Sequence, residues 1–60
     1  MKSLYDENSR YTQNATELET ETYNTFRPIF LKYLNEGFSP REISYTIQNA
    51  IRDIELETLL

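Results

Sequence analysis

From about residue 16 onward, apolar and polar residues recur with the period of a helix, whereas the first fourteen positions show no such period. Leu18, Thr22, Phe26, Ile29 and Tyr33 fall on one face, flanked by Tyr23, Phe30 and Leu34. Ile43, Ile47, Ala50, Ile51 and Ile54 form a second stripe at the same spacings. The pattern predicts a helix over about 16–36, a turn at 37–39 and a helix over about 40–58. Folded back about the turn, Tyr33 comes near Ile43, Ile29 near Ile47 and Phe26 near Ala50, an antiparallel helical hairpin.

The turn is the strongest local signal in the chain. Gly37 lacks a Cβ and so takes the left-handed conformation that closes a helix. Ser39 suits an N-cap, Pro40 the first helical position and Glu42 the reciprocal position of a capping box. Phe38 and Ile43 occupy the two places of a hydrophobic staple. Each residue has a structural reason to be there, so this segment is read as architecture and not as a site.

Two features of the first helix complicate it. Thr16 and Glu19 form a second capping box, which places its start near Thr16. Pro28 removes the hydrogen bond to the Asn24 carbonyl and clashes there, predicting a kink, or a break near Thr25 that would give three short helices. Residues 1–14 are polar, with Leu4, Tyr5 and Tyr11 their large apolar groups, and read as an arm that is flexible or ordered by a partner. Asn14-Ala15-Thr16 matches a glycosylation sequon, which matters only for a secreted chain and is read as chance.

Composition bears on assembly. A chain of 60 residues without Cys or His has neither disulfides nor an ordinary zinc site to support a small core. On a helical wheel Tyr45 and Leu56 lie almost opposite the isoleucine stripe, and Leu59 and Leu60 add apolar bulk at the end. One hairpin cannot cover both faces of its second helix. The expected fold class is therefore all-α, a hairpin with a kinked first helix assembling as a homo-oligomeric helical bundle, dimer or tetramer. Tyr23, Phe30, Leu34, Tyr45, Leu56 and Leu59 are its candidate apolar contact surface.

Charge narrows the partners. Ten acids against six bases leave −4, which disfavours nonspecific attraction to nucleic acid or anionic lipid and fits a basic protein better. The hairpin gathers Glu17, Glu19 and Glu21 with Asp53, Glu55, Glu57 and the terminal carboxylate at one end, and no Lys or Arg follows Arg52. Glu17, Glu21, Asp53, Glu55 and Glu57 are the candidate partner-binding residues. The plainer role for such a charge run is a solvated face that keeps the chain soluble. No apolar run reaches membrane-spanning length and Met1–Asp6 lacks the apolar centre of a signal peptide, so a cytoplasmic protein that does not enter the membrane is expected.

Catalytic chemistry is poorly supplied. Without His or Cys there is no His-activated nucleophile, and one glycine cannot build a phosphate-cradling loop. Carboxylate pairs such as Glu17 with Glu21, or Asp53 with Glu57, lack the further oxygen ligands a divalent cation needs. No cofactor, metal or enzymatic activity is expected. Two nucleic-acid readings compete with a protein partner. The turn followed by a helix is part of a helix-turn-helix pattern, although Glu42, Asp53, Glu55 and Glu57 offset the Arg41 and Arg52 that would face DNA. Alternatively, the acidic side chains imitate DNA and occupy a nucleic-acid-binding protein. The expectation preferred is a small acidic interaction protein, a regulator, inhibitor or adaptor of a larger one, of a kind suited to compact viral or mobile-element genomes.

Overall fold

Helix α1, Gln13–Asn35, and helix α2, Pro40–Leu59, make up most of the computed structural model, which describes residues 2–59. Among the described residues the only pairing outside the helices is a single antiparallel bridge between Tyr5 and Tyr11. Leu60 and the terminal carboxylate, expected at the acidic end, lie outside the described residues.

Helix α1 starts before the capping box at Thr16. Its N-cap is Thr12, with extended backbone (φ −77°, ψ 171°) and a hydroxyl that accepts from the Ala15 N–H at 3.3 Å. Thr16 is already inside the first turn, its own N–H donating to the Thr12 carbonyl at 3.1 Å. What selects Thr12 is a tertiary bond: the same hydroxyl donates to the Ser3 carbonyl at 2.9 Å, so cap and arm are fixed together. The earlier start also moves Glu17, Glu19 and Glu21 beyond the first turn, where the helix dipole no longer favours them appreciably. Threonines persist inside both helices because their hydroxyls bond back to carbonyls of the preceding turn, as Thr22 does to Leu18 at 2.7 Å and Thr46 to Glu42 at 2.9 Å.

Pro28 does not divide the chain into three helices, since α1 runs on through it to Asn35. Both Pro28 and Asn24 are exposed, so water can take the carbonyl that proline leaves without a donor.

The turn closes α1 with a Schellman motif. The Phe38 N–H reaches back to the Tyr33 carbonyl at 3.2 Å and the Gly37 N–H to that of Leu34 at 3.1 Å, with Gly37 at φ +101°. The apolar contact that accompanies this motif is Phe38 on Tyr33, ring centroids 5.9 Å apart. Ser39 then caps α2, its hydroxyl accepting from the Glu42 N–H at 3.2 Å. Glu42 contributes its N–H and its charge to this first turn.

Away from the turn the helices diverge. Ile43 is buried at 6% exposure and Ile47 is half-buried, but Ile51 is 45% exposed and Ile54 59%. Burial thus falls steadily along the stripe that should have been covered. A radius of gyration of 14.3 Å exceeds the roughly 10 Å of a compact chain of this length. The hairpin is an open V, packed near its vertex, with Ile43 and Ala15 the buried apolar residues of the described structure.

A Cβ built on Gly37 meets nothing within 4 Å, so the cost of substitution there is conformational and not steric. Gly37→Ala should lower stability by about 1 kcal/mol, Gly37→Val by more and Gly37→Asn by least, read from thermal melts. Equal melting of all three variants would show that the residue does not hold this conformation in solution.

Candidate protein interaction site

The divergence opens an apolar groove of about 810 Å³. Phe26, Ile29 and Tyr33 form its α1 wall, and Ile43, Ile47 and Ala50 its α2 wall. These are the six residues whose pairing the periodicity predicts. All six line the one groove, Ile43 buried at its vertex and Ile29, Tyr33 and Ala50 still exposed. The lining continues around α2 over Thr46 and Glu42 to Tyr45 and Arg41, with Phe38 at the vertex. Tyr45, expected on a separate back face, therefore borders the groove, while remaining 63% exposed. Its side chain is long enough to reach the rim from a position the wheel places far from the stripe.

The other apolar candidates are dispersed. Phe30 is half-buried and Leu34 stands at the edge of exposure. Leu56 and Leu59 are open on the outer arm of α2, Leu59 at 75% exposure. Tyr23 joins a smaller hollow of about 400 Å³ between α1 and the N-terminal arm, lined also by Leu4, Tyr5, Tyr11 and Leu18.

That hollow depends on a turn that the absence of helical period concealed. The Asp6 carboxylate accepts from the Asn8 and Arg10 N–H groups at 2.8 and 3.0 Å. The Ser9 N–H donates to the Asp6 carbonyl at 3.0 Å, and the Asp6 N–H to that of Arg10 at 2.9 Å. Ser9 takes φ +60° to close the loop. Tyr5 and Tyr11 then meet edge to face at 5.5 Å, and Ala15 is buried at the base of the arm. The available signal was a run of Asp, Asn and Ser between aromatic residues, which is turn chemistry and not merely polarity. Glu19, freed from capping, faces Tyr11, and its carboxylate is the main cause that pushes the phenol pKa up.

The acidic candidates stand at the open end, Glu17 and Glu21 on one arm of the V and Asp53, Glu55 and Glu57 on the other. On the wheel, Asp53 and Glu57 flank the isoleucine stripe on the Glu42 side, and Glu55 lies across from them. The last turn of α2 carries no base. Among the described residues no three acidic side chains converge as a metal site would require, and no helix is long and apolar enough to cross a membrane. Comparison with protein-family models, curated proteins and solved structures gives no match.

Two outcomes test the arm. Ser9→Gly should stabilise the protein by about 0.5 kcal/mol, relief of the left-handed strain outweighing the entropy of glycine, and Asp6→Ala should destabilise it; thermal melts of the two variants moving in the same direction would contradict this turn. Because the Tyr11 pKa is raised in the folded chain, its contribution is complete below the ordinary value of 10.0 and is lost as pH rises through the raised value. Glu19→Gln should bring the phenol back toward 10.0 in an absorbance titration.

Proposed function

We propose that this chain is a non-enzymatic interaction module, which self-associates through its apolar helix faces and acts as a regulator, inhibitor or adaptor of a larger protein in the cytoplasm. The observation that carries this reading is the contrast along the V. Apolar surface that a folded monomer would ordinarily bury is left open between the arms, and the arm tips bear six carboxylates on Glu17, Glu19, Glu21, Asp53, Glu55 and Glu57. Exposed apolar area of this kind marks association surfaces. Concentrated negative charge steers and selects a basic partner more than it supplies affinity. The carboxylates at the end of α2 also face the negative pole of its dipole, an arrangement that a basic partner would relieve.

The immobilised chain should retain a specific protein after nuclease treatment, and retention should fall as salt rises. Replacing Asp53 by Asn and Glu55 and Glu57 by Gln should weaken capture about tenfold while leaving helicity intact, as expected for three screened charges. Equal capture by the amide variant would reduce the acidic end to a solubilising face. Displacement of the captured protein by duplex DNA would instead favour imitation of DNA.

A further inference from the structure

The groove is too open for a small ligand. Binding pockets enclose most of their ligand's surface, whereas this trough is buried only at Ile43 and leaves Ile29, Tyr33, Phe38 and Tyr45 exposed along its rim. Its volume of about 810 Å³ is close to that of two turns of a helix 10 Å across. A helix with an apolar stripe is the occupant of matching size and chemistry, and α2 itself has such a stripe.

The surface area points to which helix. A folded monomer of 7.2 kDa ordinarily exposes about 4,100 Å², and this chain exposes 5692 Å². The excess, about 1,600 Å² per chain and so about 3,200 Å² for a pair, falls within the 2,000–5,000 Å² of obligate homodimers. A second copy of this chain therefore offers an interface of the size a stable dimer needs.

Charge sets the orientation. At the turn end, Lys32 flanks the α1 stripe and Arg41 borders the groove, with Glu36 and Glu42 beside them, so these four exposed charges balance. At the open end, Asp53 and Glu57 flank the α2 stripe, also exposed. Copies docked in parallel would bring their acidic tips together, whereas copies docked antiparallel keep the tips apart and set each beside the other's charge-balanced turn.

We propose that the groove is filled by α2 of a second copy, docked antiparallel about a two-fold axis in a four-helix bundle, so that the acidic tips are held apart and Asp53 and Glu57 of each chain lie at the turn end of the other, where Lys32 and Arg41 offset Glu36 and Glu42. Each α2 lies between the two helices of the opposite hairpin, and Ile51 and Ile54, exposed in the single chain, enter a shared core. This rests on the self-association in the proposed function but not on any larger partner, so the two can fail separately.

The absence of cysteine allows a direct test with purified protein. Arg41→Cys and Glu57→Cys chains, each checked for helicity, are oxidised alone and after mixing and exchange. Disulfide-linked dimers should form in the mixture and not from either variant alone. Cross-linking of Glu57→Cys with itself would overturn the antiparallel orientation. Absence of cross-links together with a monomeric mass would overturn the dimer, even if the chain still captures another protein. Independently, Asp53→Lys with Glu57→Lys should weaken dimerisation about tenfold, and adding Lys32→Glu with Arg41→Glu should restore it. Failure of that restoration in a helical protein would show that these charges do not meet.

Discussion

The Schellman turn at Gly37 sets the direction in which α2 leaves α1, and the rest of the structure depends on that angle. With Gly37 in the left-handed region and Phe38 bonded back to Tyr33, the helices touch through Ile43 and then separate. Their apolar stripes line one groove but are not brought into full contact. Burying a large apolar side chain contributes about 1.5–3 kcal/mol, and along α2 most of that gain is left unrealised in the single chain. A buried core this small sets little apolar gain against the entropy of ordering two long helices. In the dimer proposed above, the second helical surface that completes the core is α2 of another copy.

The arm follows a different logic, because it is held by polar groups where the hairpin is held by apolar ones. Asp6 organises the loop, Thr12 joins it to α1 through Ser3, and two tyrosines close over Ala15. Thr12 is simultaneously a helix cap and a tertiary contact, which couples formation of α1 to docking of the arm. Much of this hydrogen bonding is exposed to solvent, so its net contribution per bond is modest.

What was legible in the sequence follows the range of the interactions. Gly37, Ser39 and Pro40 announced the turn because helix boundaries are decided by neighbours a few residues apart. That both apolar stripes line one groove was legible because a hairpin turns such faces toward each other once its turn is known. The divergence was not legible, since periodicity records which face is apolar and not how tightly two faces approach. Nor was the cap at Thr12, where a local capping box at Thr16 lost to a bond from a residue nine positions away. Tyr45 shows the limit of the wheel, which places a Cα direction but not the reach of a long side chain.

On the proposal above, the single hairpin is incomplete and its folding is coupled to association. Absolute mass by light scattering over a dilution series, with helicity followed by circular dichroism at each concentration, tests it most directly. A dimeric mass at high concentration and a loss of helicity in step with dissociation are expected. A monomeric mass with undiminished helicity at every concentration would contradict it.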